Sequence, residues 1–252
     1  MRRLDEIQRG ARRPPRADVR WAWFFDIDGT LVEIASAPSS VVVSDDLPHI
    51  ISRLQTLSGG AVSLITGRSV SDVESFFPLE GLAVAGQHGL EMRDASGEVE
   101  VAFSSGADFA AIRSELGSIA SRHAGLIVEN KGESIALHYR QAPRLAGYAH
   151  RVMKKIQAAH GSDLVIQKGK RVVELKPAGA DKGSAIRELM LAPPFAGRTP
   201  VFVGDDITDE AGFTLVNSMG GHSVKVGSGK SEAKWRLRDV TAVRQWLSEA
   251  VG

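Results

Sequence analysis

Apolar residues in this chain gather in short runs, broken only by Ser63, each followed by small or acidic residues: Trp21–Phe25, Ala61–Ile65, Leu82–Ala85 and Pro200–Val203. Runs without polar alternation predict strands buried on both faces, as in a parallel sheet. Between them, Asp46–Leu57, Ser69–Phe76, Lys182–Leu191 and Glu210–Asn217 place apolar residues at helical spacing. Strand and helix in alternation predict an α/β fold: a Rossmann-like parallel sheet flanked by helices. The stretch 103–174 changes rhythm, with helical patterns at Ala107–His123 and Ala142–His160 and strands at Gly125–Glu129, Ser134–Tyr139, Asp163–Gln167 and Arg171–Glu174. That order predicts a smaller α+β cap inserted into a core formed by 21–102 and 175–252. Such an insertion would act as a lid if it left from loops at the sheet's C-terminal edge. Trp235–Leu237 and Trp246-Leu247 read as a closing strand and helix.

Composition narrows the chemistry. The 252-residue chain has a net charge of +1 and intersperses its signs, which gives no case for a nucleic-acid partner. It has no cysteine, so thiol nucleophiles, disulfides and thiolate metal sites are excluded. No run is long enough to span a bilayer and no secretory h-region precedes the first strand, so a cytoplasmic location is expected. Residues 1–20 hold seven arginines and Pro14-Pro15 with little apolar material, which predicts a flexible basic tail.

The ends of the predicted strands carry the reactive groups. Asp26-Ile27-Asp28-Gly29-Thr30 follows the first apolar run directly, and two carboxylates there repel unless a cation or a transferred group lies between them. Ligands of open α/β sheets bind at this edge. Thr66-Gly67-Arg68 offers a hydroxyl and free N–H groups at a strand-to-helix turn, Lys182 opens a helix, and Asp205-Asp206 with Asp209 follows the fourth run. The set suits phosphoryl transfer. Asp26 would be the nucleophile and Asp28 the acid/base, and Mg2+ would be held by Asp26, a backbone carbonyl near Asp28, and Asp205, with Asp209 on its waters. Lys182 and Thr66 would bind the remaining phosphate oxygens. A lysine at a helix N-terminus opposes the macrodipole, a cost that an anionic ligand removes. Asp206 and Glu210 read as charges that favour the helix N-terminus.

In order and spacing these four blocks resemble the motifs of haloacid dehalogenase-like phosphatases, and the middle segment resembles the α/β cap that such proteins carry. More narrowly, the chain from about Trp21 onward is similar to the trehalose-6-phosphate phosphatase family. That resemblance rests on Gln87-His88-Gly89, Glu129-Asn130-Lys131, His138-Tyr139-Arg140, Val173–Pro177, Gly204–Glu210, Ser223–Gly227 and Trp235–Leu237. It implies hydrolysis of trehalose 6-phosphate to trehalose and phosphate in trehalose biosynthesis. By that likeness Gly67, Arg68, His88, Gly89, Glu129, Lys131, Arg140 and Glu174 would contact substrate, and a trehalose-phosphate synthase would be the functional partner. The competing readings are a phosphatase or mutase for another sugar phosphate, and a catalytically silent sugar-phosphate sensor or regulatory partner of a synthase.

Overall fold

The computed structural model describes residues 13–35, 41–78, 80–102 and 106–252. Contacts divide the chain into two compact units, one ending at Glu100 and resuming at Asp181–Gly252, the other spanning Val101–Ala180.

The first unit is built on β1 (Ala22–Phe25), β2 (Val62–Ile65), β3 (Ala83–Gly86), β10 (Pro200–Gly204), β11 (His222–Val226) and β12 (Trp235–Leu237). These six strands run parallel in the order β12-β11-β10-β1-β2-β3. The short β4 (Glu91–Arg93) and β5 (Val99–Val101) extend the sheet beyond β3, and β4 pairs with β3 antiparallel. Its helices are α1 (Asp46–Leu57), α2 (Val70–Glu74), α5 (Lys182–Leu189), α6 (Glu210–Ser218) and α7 (Val240–Val251). Strand β1 shows why its sequence is apolar without alternation. Trp23 and Phe25 pack into one core with Leu47, Ile51, Val243 and Trp246, while Ala22 and Phe24 face a second core with Ile186, Phe202 and Phe213. Every residue of β1 is buried.

The second unit holds α3 (Phe109–Ala120), β6 (Ile127–Asn130), β7 (Ile135–His138), α4 (Ala146–His160), β8 (Leu164–Gly169) and β9 (Val172–Pro177). Its antiparallel sheet has the order β6-β7-β9-β8. Ile135, Leu137, Val173 and Leu175 pack with Ile112, Leu116, Met153 and Ile156 of the helices. Alternation then puts Glu129, His138 and Glu174 on the opposite, polar face.

Two boundaries depart from the sequence reading. The second unit runs past Glu174 to Ala180, because the β8–β9 ladder continues to the Leu164–Pro177 pair and Ala178 N–H donates to the Asp163 carbonyl. Residues 1–12 of the expected tail lie outside the described residues, but Arg13–Arg20 lie against the first unit. Trp246 Nε1 donates to the Pro15 carbonyl at 3.0 Å, Arg13 pairs with Glu249 at 3.0 Å, and Pro14 is buried. The prolines end in a carbonyl that satisfies a core indole, which a reading of charge and apolar content alone does not register.

Trp23 is fully buried and stacks on Phe25 with ring centroids 5.8 Å apart. Trp23→Ala is expected to lower unfolding free energy by about 3–5 kcal/mol in urea denaturation, a loss below ~1 kcal/mol being incompatible with this packing.

Candidate active site

The C-terminal ends of β1 and β10, neighbours in the sheet, deliver the acidic residues to one place. Asp26 follows β1, and its backbone N–H donates to the Val203 carbonyl of β10. Gly204 ends β10 and Asp205 follows it. Lys182 is the first residue of α5, whose N-cap Asp181 forms a reciprocal capping box with Ser184. From that position Lys182 Nζ reaches Asp26 Oδ1 and Asp209 Oδ1, both at 2.6 Å, and all three side chains are buried. Asp26, Asp205 and Asp209 each place a carboxylate oxygen within 4.8 Å of the others.

Close approach of the backbone is required here. A Cβ on Gly29, whose φ is +85°, would lie 2.3 Å from Asp205 Oδ2, and one on Gly204 would lie 2.4 Å from Asp209 Cγ. Only glycine leaves room at these points for the two carboxylates. Asp209 Oδ2 also accepts from the Asp206 N–H at 2.8 Å, which closes the loop. Glu210 accepts the Glu232 N–H at 2.8 Å and so ties the start of α6 to the later loop.

Electrostatics follow from this crowding. Burial, with repulsion from Asp209 and Asp205 and against the pull of Lys182, holds the Asp26 carboxyl well above the ordinary range. Burial and the charges of Asp209 and Asp206 push Asp205 up to about 6. Burial opposes the Lys182 ammonium, but Asp209 and Asp26 outweigh it and raise its pKa above the usual lysine value. When all are ionised, three carboxylates and one ammonium leave two negative charges on a set of hard oxygen donors, which fits a small divalent cation. Asp26, Asp205 and Asp209 are the residues that could hold it.

The remaining predicted residues sort by unit. Asp28 does not join the carboxylate group through its side chain; Arg68 grips it in a fork, with Nε to Oδ2 at 2.6 Å and Nη2 to Oδ1 at 2.7 Å. Thr66 is buried, and its Oγ1 accepts the Arg68 N–H at 3.2 Å. Thr66 does not cap α2, because Ser69 does so by accepting from Asp72 N–H. His88 lies beside this turn: its N–H donates to the Thr66 carbonyl at 2.8 Å, and a Cβ on Gly67 would lie 2.7 Å from its ring. Gln87 and His88 both hold positive φ, at 48° and 59°, and Gly89 follows at 97°. Such a run of left-handed residues persists only where the surroundings enforce it. Gln87 Nε2 donates to Glu91, which also accepts the Val70 N–H at 2.9 Å.

In the second unit, Glu174 Oε1 accepts from Ser134 at 2.7 Å and lies 3.6 Å from Lys131 Nζ. Glu129 Oε2 lies 2.6 Å from His138 Nε2. Burial works against the Glu129 carboxylate, but the hydrogen bond from His138 and the nearby Lys131 hold its pKa below the ordinary value. Arg140 instead reaches the Lys170 carbonyl at 3.5 Å.

Sequence reasoning missed three participants. Thr30 is buried with Oγ1 3.4 Å from Asp26 Oδ2, and Ser134 and His138 hold the two glutamates. Thr30 stood within the first block and His138 within a motif that carries the resemblance, while Ser134 gave no signal; the strand register is what aligns His138 with Glu129 and Ser134 with Glu174.

A model of the trehalose-phosphatase family matches residues 24–241. The chain belongs to this family. It is 42% identical over 233 residues to the trehalose-6-phosphate phosphatase of Escherichia coli K12, covering 92% of this chain and 87% of that one. It is 34% identical over 234 residues to a bifunctional trehalose-6-phosphate synthase/phosphatase of Thermoproteus tenax, covering 89% of this chain and 31% of the relative. Among solved structures, the C-terminal domain of the Candida albicans trehalose-6-phosphate phosphatase superposes with a TM-score of 0.79 at 24% identity, over 99% of this chain and 95% of that one. This last likeness concerns the fold, and it agrees with the mostly parallel sheet described above.

The raised Asp205 carboxyl fixes a sign. A group whose folded pKa lies above its unfolded value binds more protons when folded, so its contribution to stability is full below the unfolded value and is lost as pH rises through the folded one. Asp205 moves from 3.8 to about 6. The cation-free protein is therefore expected to lose stability as pH rises across that interval, and Asp205→Asn is expected to flatten the loss; thermal denaturation in chelator at several pH values measures both. Stability that rises over the same interval through Asp205 contradicts the crowding of these carboxylates.

Proposed function

We propose that this chain is a magnesium-dependent phosphatase that hydrolyses trehalose 6-phosphate to trehalose and phosphate through an aspartyl-phosphate intermediate on Asp26. One observation carries the reading: Lys182 holds Asp26 at 2.6 Å within a group of three carboxylates at the end of β1, in a member of the trehalose-phosphatase family. The 42% identity to a relative named for this activity supports the choice of substrate.

Asp26 Oδ1 is taken by Lys182, which leaves Oδ2, 3.4 Å from the Thr30 hydroxyl, to attack phosphorus. As the bond to Asp26 forms, the bond from phosphorus to the sugar oxygen breaks and that oxygen takes a proton from Asp28. Water then attacks phosphorus and gives its proton to Asp28, and the Asp26 carboxylate departs. In the resting structure Arg68 takes both Asp28 oxygens, so Asp28 carries the proton with one of them released from the fork. Lys182 and the Thr66 hydroxyl offset the phosphate charge. Mg2+ held by Asp26, Asp205 and Asp209 would neutralise phosphoryl oxygens and the mutual repulsion of its ligands.

Glu129, Lys131 and Glu174, on the polar face of the second unit's sheet, are proposed to bond sugar hydroxyls, with His138 and Ser134 holding the two carboxylates in place. Among the described residues no helix is long and apolar enough to cross a membrane. We place the enzyme in the cytoplasm beside a trehalose-phosphate synthase, a pairing supported by the relative from Thermoproteus tenax.

Phosphate release from a panel of trehalose, sucrose and hexose phosphates, with Mg2+ and with chelator, tests the proposal. Trehalose 6-phosphate is expected to lead by about 100-fold in kcat/KM, and chelator to stop turnover. Asp26→Asn is expected to lower kcat by ~10³-fold or more with an unchanged circular dichroism spectrum. Preference for another sugar phosphate, transfer of phosphate to a sugar, or binding without turnover would each replace the reading with a different one.

A further inference from the structure

Lys225 is a buried lysine that none of the steps above uses. It lies on β11, where the parallel register sets it beside Gly204, the last residue of β10 and the point at which the acidic loop departs. A charged residue within the strand Ser223-Val224-Lys225-Val226 is costly unless it is satisfied. Its Nζ donates to the backbone carbonyl of Asp205. Arg236, paired with it from β12, is committed elsewhere, to the carbonyls of Gly227 and Gly229.

Asp205 is thus hemmed in at its carboxylate and anchored at its backbone. Gly29 passes so close that no Cβ fits between them, and Lys225 holds the peptide oxygen of Asp205 itself. Among the described residues, the Asp205 carboxylate has no lysine contact comparable to the 2.6 Å contacts that Lys182 makes with Asp26 and Asp209. Its position therefore depends on where its backbone is anchored.

We propose that Lys225 is a positioning residue for the cation site: by anchoring the Asp205 carbonyl it sets the Asp205 carboxylate where it completes the donor set with Asp26 and Asp209. This rests on the reading of those three residues as a divalent-cation site. Two physical effects of Lys225 oppose one another, which gives the proposal a sign. Its positive charge lowers cation affinity by repulsion, whereas its anchor raises affinity by preorganising a ligand. The proposal holds that the anchor dominates.

Isothermal titration of the purified full chain with Mg2+, in the absence of any substrate, decides between them. Lys225→Met removes both donor and charge and is expected to weaken Mg2+ binding about 10-fold or more, the range for residues that orient metal ligands. Lys225→Arg, which keeps donor and charge, is expected to stay within about threefold of the parent. Thermal denaturation in chelator confirms that the variants are folded; should Lys225→Met not fold, Lys225→Leu replaces it under the same sign. Affinity that is equal to or tighter than the parent's in the Met or Leu variant overturns the positioning role, as does a Lys225→Arg variant as weak as Lys225→Met. Absence of Mg2+ binding by the parent protein would instead overturn the cation site on which the proposal rests.

Discussion

A buried ammonium between two buried carboxylates organises the strand-end site of the first unit. Lys182 lies 2.6 Å from both Asp26 and Asp209, and these residues arrive from α5, β1 and the loop after β10. Breaking such a group by removing one partner costs roughly 3–5 kcal/mol, because an uncompensated charge remains in the interior. The same contacts leave the set short of positive charge, since Lys225 bonds the Asp205 backbone carbonyl and not its carboxylate. The site is therefore stable enough to persist and unbalanced enough to favour a cation and a phosphoryl group. Stability and chemistry draw on the same few side chains.

Much of this was legible in the sequence because burial on both faces leaves a strong signature. The four apolar runs became β1, β2, β3 and β10 within a residue of their expected ends, and α1 spans Asp46–Leu57 as its periodicity indicates. The strand-end position of Asp26 and Asp205 followed from the same runs. Less legible were the elements that are short or half-polar. Strands β4 and β5 have three residues each and β5 is exposed along its length, so they carry no periodicity to read. The ordering of Arg13–Arg20 depends on one carbonyl meeting one indole N–H, which composition does not express.

Within the site, residue types were easier to assign than partners. Arg68 is a substrate contact by the family resemblance, and the structure gives its guanidinium to Asp28. That fork ties the two strand-end motifs of β1 and β2 together. The Gln87-His88-Gly89 turn likewise depends on left-handed conformations and on Glu91, and neither is visible in a one-dimensional pattern. In the second unit, alternation separates an apolar face that packs on α3 and α4 from a face carrying Glu129, His138 and Glu174.

The central claim is that the carboxylate held by Lys182 is the nucleophile. Mixing the protein with trehalose 6-phosphate and Mg2+, quenching in acid within the first turnover and mapping peptides by mass spectrometry tests it directly. A phosphoryl group on the peptide containing Asp26, absent from Asp26→Asn, is the predicted result. Phosphate released in that first turnover with no phosphoryl adduct on Asp26 at any quench time would contradict the account.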